Sequence, residues 1–287
     1  MKFTLKDNAN IITSRQNPLV TYVIKLSEKK YRERERKFRF DGIKLFEEAV
    51  ISGIEIETVL IMESALEKIS SRLGDFLTNA TEKGSDIKIV SDGVFEKISE
   101  EKSPEGIICV AKYIDKSHKI ATINNIGELF EEVLRGDSRI FALESIRDPG
   151  NLGTLIRSSV AFGVDVLVIS SDCADLYNSK TLRAAMGTVF KQNIIIVDDM
   201  STAANEMSRY SRKTYAAALA KDAELLGRCE LSTRDCIIVG NEGHGLSQKT
   251  IDACDDKILI PMTPNAESLN AAIAASVCMW EQFGRKL

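Results

Sequence analysis

The sequence predicts an α/β protein of two domains, the second built on a parallel β-sheet. Its 287 residues exceed one average domain and suffice for two. Apolar segments of strand length alternate with helical segments along the whole chain. In the second half these segments are almost continuously apolar, which is typical of strands covered on both faces of a parallel sheet.

The first domain is predicted over residues 1–112, with its compact part running from about Ile11 to Tyr113. It opens with Ser14-Arg-Gln-Asn-Pro18, after which we expect one basic amphipathic helix through about Lys37. Asp41-Gly42 then precedes an apolar-periodic helix over residues 43–50. Strands are predicted over 57–62, 87–90 and 106–111, which makes this half a small α/β sandwich.

Residues 113–125 are polar without strong periodicity and are predicted to be a linker, in which His118 is exposed. The second domain is predicted over residues 126–287. Its strands are expected at 140–143, 164–170, 193–197, 214–219, 235–240 and 257–262. Ligands of parallel sheets bind at the carboxyl ends of the strands, so the loops that follow these segments are the place to look for a site.

Composition excludes several classes of protein. Hydrophobic residues at 44% and charged residues at 28% are typical of a soluble globular chain. The longest apolar stretches, such as Asp235-Cys-Ile-Ile-Val-Gly240, are of strand length, so no membrane span is predicted. The first residues lack the apolar core of a signal peptide, which predicts a cytoplasmic location.

Cysteine and histidine usage predicts no metal site. The six cysteines are scattered without a C-x-x-C pair, and only two histidines are present. A zinc site needs about four clustered ligands, and a disulfide scaffold needs a short secreted chain. Reduced and mostly buried thiols are the interpretation that we favour.

Charge is distributed unevenly along the chain. Residues 1–50 hold twelve Lys/Arg and seven Asp/Glu, a balance of +5, which leaves −9 for the rest of a chain whose net charge is −4. A basic front end on an acidic protein indicates an anionic partner such as nucleic acid. The alternative is a solvated helix face, because Tyr31-Arg-Glu-Arg-Glu-Arg-Lys37 mixes charges of both signs.

The first loop of interest covers residues 144–157. Asp148-Pro149-Gly150 predicts a turn, and Asn151 is expected to cap the following helix. Gly153 permits close backbone approach, and Arg157 lies six residues beyond Asn151. Free N–H groups at a helix start together with an arginine suit a phosphate. An ordinary cap beside a surface arginine is the simpler interpretation of this loop taken alone.

The second loop is Gly240-Asn-Glu-Gly-His-Gly-Leu-Ser247, directly after an apolar strand. Three glycines in six residues predict a tight loop whose backbone can embrace a ligand. It matches neither the dinucleotide fingerprint nor a phosphate-binding P-loop. Because it lacks lysine and carries Glu242, it suits a neutral or cationic ligand. His244 is a possible base, although an exposed loop residue is the favoured interpretation.

The third loop, Ile258-Leu-Ile-Pro-Met-Thr-Pro-Asn-Ala-Glu-Ser-Leu-Asn270, leads into a helix almost free of charge for ten residues. Such a helix is buried on most sides, in a core or at a subunit interface. Ser268 and Asn270 lie at its start, where they either face a ligand or, in the simpler interpretation, Ser268 caps the helix.

Together the three loops resemble the signature of the SpoU (TrmH-like) family of RNA 2′-O-methyltransferases in the SPOUT superfamily. The resemblance covers about residues 139–284. It rests on Arg147-Asp-Pro-Gly-Asn-Leu-Gly-Thr-Leu-Ile-Arg157, Gly240-Asn-Glu-Gly-His-Gly-Leu-Ser247 and Ile260-Pro-Met…Glu267-Ser-Leu-Asn270, with Leu182-Arg-Ala-Ala-Met-Gly187 between the first two. The first half resembles the ribosomal-protein-like RNA-binding domain often attached upstream.

The resemblance implies a deep trefoil knot, a homodimer with its active site near the subunit interface, and S-adenosyl-L-methionine as cofactor. The cofactor-binding positions would be Leu219, Gly240, Asn241, Gly243, Ile260, Met262 and Leu269. The positions around the reaction centre would be Asn151, Arg157, Glu242, Ser268 and Asn270. RNA would be held by Arg15, Arg32, Arg34, Arg36 and Lys37. Two departures are Ala185, where relatives often have serine, and Asp41, where glutamate is commoner.

The resemblance also implies the reaction. A ribose 2′-oxygen would attack the methyl carbon of the cofactor, with Arg157 gripping a phosphate and stabilising the developing alkoxide. The two-domain layout favours ribosomal RNA as substrate. The alternatives are a tRNA 2′-O-methyltransferase and a non-catalytic RNA-binding protein that retains the fold. A phosphate-loop nucleotidase lacks the lysine and the metal-binding carboxylate that it would need.

Overall fold

The computed structural model describes residues 11–122 and 124–286, so the expectation about a signal peptide lies outside the described residues. The first part of the chain forms α1 (Pro18–Lys25), α2 (Lys29–Glu35), β1 (Lys37–Asp41), α3 (Ile43–Ile51), β2 (Ile56–Met62), α4 (Leu66–Glu82), β3 (Asp86–Val90), α5 (Asp92–Ile98) and β4 (Ile107–Lys112). The rest forms β5 (His118–Ala121), α6 (Ile126–Leu134), β6 (Ile140–Leu143), α7 (Pro149–Ala161), β7 (Val166–Ser170), α8 (Ser179–Ala185), β8 (Asn193–Val197), α9 (Met200–Arg209), β9 (Thr214–Ala217), β10 (Glu224–Leu225), β11 (Cys236–Val239), α10 (Gln248–Ala253), β12 (Asp256–Leu259) and α11 (Ala271–Gln282).

The chain forms two compact units. The first contains the residues up to Ile114 together with Tyr177–Phe190, and the second contains Asp115–Leu176 and the residues from Lys191 onward. No helix in the described stretches is long and apolar enough to cross a bilayer.

The first unit is built on a four-stranded mixed sheet in the order β1-β4-β2-β3. Strands β1 and β2 run antiparallel to β4, and β3 runs parallel to β2. Apolar residues of α1 and α5 pack on this sheet and form a buried core with Leu60, Val90, Ile108 and Val110. The predicted α/β architecture of this half is therefore present, with the predicted strands at 57–62, 87–90 and 106–111 displaced by no more than one residue at either end.

The single basic helix predicted through Lys37 is wrong. Helix α1 ends at Lys25, and α2 ends before Arg36, which adopts a left-handed conformation with φ of 53°. The chain then enters β1, whose Phe38 and Phe40 are buried against the sheet. The mixed charges of residues 31–37 gave no sign of where the helix ends and the strand begins. The partner of β1 is β4, about seventy residues further along the sequence, so this pairing could not be read from neighbouring residues.

The segment Tyr177–Phe190 packs within the first unit, although we predicted residues 126–287 to be the second domain. The Tyr177 ring stacks on Tyr113 at 4.1 Å between centroids and lies 4.5 Å from Phe38. Phe190 lies 5.5 Å from Phe40. An aromatic cluster therefore holds this segment, and the chain leaves the second unit after Leu176 and re-enters it at Lys191.

The second unit contains an eight-stranded sheet in the order β10-β12-β9-β11-β6-β7-β8-β5. Every pairing in this sheet is parallel. The prediction of a parallel sheet is confirmed. Helices α6 and α9 contribute to an apolar core on this sheet, and α7 packs against α11.

The predicted linker contains β5, which pairs with β8 at one edge of this sheet. His118, expected to be exposed, is buried in β5 opposite Ile194. The expectation failed because the four-residue strand is too short for its periodicity to be visible, and its pairing partner lies far away in the sequence.

Strands β12, β9, β11 and β6 are neighbours in the sheet. Because they are parallel, their carboxyl ends lie at one edge, so the loops that follow them emerge side by side. These loops are the three that the sequence singled out, together with the residues after β9.

Candidate functional site

A cavity of about 390 Å³ lies at the carboxyl ends of β9, β11 and β12. Such a volume falls within the range of small-molecule sites. The residues that line it include all seven of the predicted cofactor-binding positions: Leu219, Gly240, Asn241, Gly243, Ile260, Met262 and Leu269. The wall also contains residues that sequence reasoning missed, namely Ala217, Ala218, Val239, Leu246, Ile251, Ile258, Leu259, Ala271 and Ala274. These small and aliphatic side chains carried no signal of their own in the sequence.

The loop of residues 240–247 is closed upon itself. The Asn241 N–H donates to the Gly245 carbonyl, and the Gly245 N–H donates back to the Asn241 carbonyl at 2.9 Å. A Cβ on Gly240 would lie 2.3 Å from the Gly245 carbonyl carbon. Gly245 itself has a φ of +66°, a conformation that glycine adopts at little cost. Gly240 and Gly245 are therefore required by the loop's geometry, as the sequence indicated for this loop.

A buried carboxylate anchors the end of this loop. Glu144, directly after β6, accepts hydrogen bonds from the Ser247 N–H and hydroxyl, both at 2.9 Å, and from the Thr250 hydroxyl at 2.7 Å. Ser247 is also the N-cap of α10. Glu144 was not among the predicted site residues, because its partners lie about a hundred residues away and only the sheet order brings them together.

The start of the loop is held from β6 as well. The Asn241 amide donates to the Ser145 carbonyl at 3.0 Å. Ser145 has a φ of 58°, and its hydroxyl donates to Asp172 at 2.6 Å. Burial alone would raise the pKa of Asp172, but hydrogen bonds from Ser145, Ser170 and Arg147 lower it below its usual value. The ionised Asp172 thus fixes the turn on which Asn241 rests.

Three of the five predicted reaction-centre residues meet beside the cavity. The Asn151 amide donates to Glu242 Oε1, and the Asn270 amide lies 3.3 Å from the same oxygen. The Asn270 amide is also 3.4 Å from Asn151 Oδ1. Each residue comes from a different one of the three loops, so this polar cluster ties the loops to one another.

The helix caps differ from the sequence-based expectations. Asp148, not Asn151, is the N-cap of α7, and its carboxylate accepts from the Asn151 N–H at 2.9 Å. Asn270, not Ser268, is the N-cap of α11 and accepts from the Ala272 N–H at 2.9 Å. Asp148 precedes a proline at the first helical position, an arrangement that favours it as the cap and leaves the Asn151 side chain available to Glu242.

Ser268 and Arg157 are not part of this cluster. Ser268 is exposed and lines the cavity. Arg157 is exposed on α7, six residues beyond Asn151 and so about 9 Å further along the helix axis. Within residues 11–122 and 124–286 it has no hydrogen-bond or ion-pair partner. His244 is exposed, as expected, and also lines the cavity.

A shallow groove adjoins the cluster on its other side. It is lined by Asn151 and Asn270 and by the exposed face of α11, where Ile273, Val277 and Trp280 form an apolar stripe. Their exposures are 55%, 37% and 50%. The opposite face of α11, with Ala275, Cys278 and Met279, is buried. The nearly uncharged helix therefore has one face in the core and the other exposed.

The predicted RNA contacts lie in the first unit and differ in accessibility. Arg15, Arg34 and Arg36 are exposed, and Lys37 is half-buried in an ion pair with Glu57 at 2.6 Å. Arg32 is buried, and its guanidinium donates to the carbonyls of Leu26 and Ser27 at 2.9 and 2.6 Å. Arg32 therefore fastens the corner between α1 and α2, and the expectation that it contacts RNA is wrong.

The chemistry of the cavity is that of a site for a neutral or cationic ligand. Backbone and aliphatic groups form most of its wall, Glu242 contributes a carboxylate, and no lysine or arginine lines it. No group of three or more His, Cys, Asp and Glu residues that could hold a metal occurs in the described part of the chain.

Comparison with known proteins gives matches over most of the chain. Residues 138–280 match the model of the SpoU rRNA Methylase family, and residues 17–109 match the MRM3-like substrate binding domain. The chain is 29% identical over 273 residues to the 23S rRNA (guanosine(2553)-2′-O)-methyltransferase RlmP of Bacillus subtilis, covering 95% of this chain and 99% of that protein. It is 26% identical to the 23S rRNA (guanosine-2′-O-)-methyltransferase RlmB of Xanthomonas campestris, covering 83% and 94%.

Among solved structures, the fold resembles that of an AdoMet-bound rRNA methyltransferase from Sinorhizobium meliloti. The TM-score is 0.80 at 23% sequence identity, with 97% of this chain and 98% of that chain covered. The similarity therefore extends over both units.

Proposed function

Because the chain belongs to the SpoU rRNA methylase family, we propose that it transfers a methyl group from S-adenosyl-L-methionine to a ribose 2′-hydroxyl of RNA. Ribosomal RNA is the substrate that we propose. RlmP of Bacillus subtilis aligns with 95% of the chain and RlmB of Xanthomonas campestris with 83%, and both are named as 23S rRNA methyltransferases. The same whole-length match makes a tRNA substrate the less favoured alternative.

One observation carries the proposal. The family resemblance implies that residues from the segments after β9, β11 and β12 bind the cofactor. In the structure these residues line a single cavity of about 390 Å³. The residues present fit S-adenosyl-L-methionine, because the wall is largely uncharged and its one carboxylate, Glu242, suits a sulfonium cation. The presence of Arg157 and of the complete Asn151–Glu242–Asn270 cluster argues against a non-catalytic relic of the fold.

When bound, S-adenosyl-L-methionine supplies an electrophilic methyl carbon. The residues of this chain then act by alignment, which can lower a barrier by about 7–11 kcal/mol. Asn151, Glu242 and Asn270 hold the three loops in register at the wall between the cavity and the groove. The acceptor ribose would approach this wall from the groove, and Ser268 would face it from the cavity.

Arg157 is proposed to bind the substrate phosphate and to stabilise negative charge as it develops on the 2′-oxygen. A guanidinium group has donors and no acceptor, so Arg157 acts by charge and hydrogen bonding, and solvent or a neighbouring group takes the 2′-proton. Its exposure and its lack of a partner within the described part of the chain leave its donors available for a phosphate.

We further propose a homodimer formed through the apolar stripe of α11. Ile273, Val277 and Trp280 recur at a spacing of four and three residues, as expected of a helix face that packs against another helix. The active site would then lie near the subunit interface, since the groove holds both this stripe and the polar cluster.

A deep trefoil knot over the carboxyl ends of the strands is also part of the proposal. After β12 the chain returns past β9 to reach α11, which packs on α7 and β11.

A cytoplasmic location is proposed, because ribosomal RNA is the proposed substrate.

Two measurements test the proposed function. Calorimetric titration of the purified protein with S-adenosyl-L-methionine should give saturable binding, and a protein inert toward this compound would refute the proposal. Mapping of 2′-O-methyl groups across all RNAs, in cells with and without the protein, should reveal a ribosomal site that disappears with it. Loss of a tRNA site alone would refute the choice of substrate.

A further inference from the structure

A second concave site lies in the first unit, at the corner between α1 and α2. Its volume is about 320 Å³, and its lining includes Tyr22, Lys25, Tyr31, Arg34 and Glu35. From these residues we propose that this α1–α2 pocket binds an unpaired nucleotide of the substrate RNA. The proposal rests on the proposed function, because it assigns part of the substrate to this pocket.

Cations and aromatic rings are interleaved in the pocket. Lys25 Nζ lies 5.6 Å and Arg34 Cζ lies 4.7 Å from the centroid of the Tyr31 ring. Outside the pocket lining, Lys37 Nζ lies 6.0 Å from the centroid of the Tyr22 ring. Proteins that bind single-stranded RNA combine these two elements, cations for the phosphates and aromatic faces for the bases. A duplex keeps its bases stacked inside and cannot insert one into such a pocket.

The charges leave one cation available. Arg34 Nε and Nη2 lie 2.8 and 2.7 Å from Glu35 Oε1, so part of its charge is already balanced. Lys37 is paired with Glu57 at 2.6 Å. Lys25, by contrast, is exposed and has no ion pair among residues 11–122 and 124–286. Lys25 is therefore the residue that we assign to the phosphate, with Arg34 as the second donor.

Hydrogen bonds within the chain fix the shape of the pocket. Buried Arg32 donates to the carbonyls of Leu26 and Ser27, which lie at the carboxyl end of α1 where a cation is favourable. This fixes the angle at which α2, carrying Tyr31 and Arg34, leaves α1. Because the aromatic ring also orders the cations, binding loses less side-chain entropy than it would at a flexible surface.

The test measures RNA affinity and cofactor affinity of the full-length protein separately. A short fluorescein-labelled oligouridylate is titrated by anisotropy, and S-adenosyl-L-methionine is titrated by calorimetry. Tyr31→Ala should weaken oligouridylate binding by about tenfold, whereas Tyr31→Phe, which keeps the ring, should stay within about twofold of wild type. Lys25→Ala should weaken binding and reduce the slope of log affinity against log salt by about 0.7. Lys68→Ala, an exposed lysine of α4, is the matched control and should change neither quantity.

The outcomes separate this pocket from the proposed function. The pocket proposal is supported if Tyr31→Ala and Lys25→Ala bind oligouridylate more weakly than wild type while their affinity for S-adenosyl-L-methionine is unchanged. If both variants bind oligouridylate as Lys68→Ala does, the pocket proposal is overturned while the methyltransferase proposal stands. Equal affinity for a duplex of the same length, or displacement of the RNA by polyglutamate at equal charge, would also overturn it. Lys25→Ala decides the matter should Tyr31→Ala fail to fold, because Lys25 is exposed.

Discussion

Gly240→Ala should weaken cofactor binding through a clash that can be located atom by atom. The added Cβ would lie 2.3 Å from the Gly245 carbonyl carbon, 2.4 Å from its oxygen and 2.5 Å from the Leu246 nitrogen. Ordinary contacts between such atoms are about 3.5–4.0 Å, so the two sides of the loop must separate by about 1 Å. All three atoms are backbone, and no rotamer change relieves the contact.

The cost follows from the site of the clash. Overpacking of this kind typically costs about 1–3 kcal/mol. Because the loop lines the cavity, we expect that cost to fall largely on the binding-competent conformation, which lowers affinity for S-adenosyl-L-methionine by about 5- to 150-fold. The remainder should lower the melting temperature by a few degrees, at about 2–4 °C per kcal/mol.

Calorimetric titration and thermal unfolding of Gly240→Ala measure both effects. Gly127→Ala is the control, because this exposed glycine lies on α6 outside the cavity lining, its Cβ would meet nothing within 4 Å and its φ is not positive. We expect the control to bind within about threefold of wild type, since an added methyl group on a surface changes affinity little. If Gly240→Ala binds as tightly as this control, the geometric reasoning about the loop is wrong.

Three further predictions address the reaction, the loop anchor and the response to pH. Arg157→Ala should abolish methyl transfer to RNA. It should leave calorimetric binding of S-adenosyl-L-methionine unchanged, because the side chain lies outside the cavity wall. Near-normal turnover would remove Arg157 from the proposed mechanism. Glu144→Gln replaces an acceptor oxygen with an N–H₂ group that faces the donors of Ser247. This change should lower the free energy of unfolding in denaturant by about 1–3 kcal/mol and weaken cofactor binding. An unchanged unfolding midpoint would contradict this role of Glu144. Burial alone would raise the pKa of Asp199, but hydrogen bonds, the largest from Lys249, lower it to about 2. Its contribution to stability is therefore present above the unfolded-state pKa of about 3.9 and is lost as pH falls toward 2, so the unfolding midpoints of Asp199→Asn and wild type should differ near neutral pH and converge in acid.

Most of the strands and the glycine loop could be predicted from the sequence. Strands β6 and β8 were predicted at their observed bounds. A short continuous apolar run between polar turns is typical of a strand buried on both faces of a parallel sheet. The loop at 240–247 was identifiable because three glycines in six residues indicate backbone that side chains cannot occupy. The residues around the cavity were named only through the family resemblance, since aliphatic positions such as Ile260 carry no chemical signature.

Tertiary structure alone decided which of these segments meet. The strand order β12-β9-β11-β6 is what gathers the three loops at one edge of the sheet, and no local pattern encodes that order. Tertiary structure also decided that Glu144 binds Ser247, that His118 is buried and that Arg32 binds the carbonyl of Leu26. Whether a polar side chain is buried, and what it then bonds, depends on residues distant in sequence, whereas periodicity and turn chemistry depend only on neighbours along the chain.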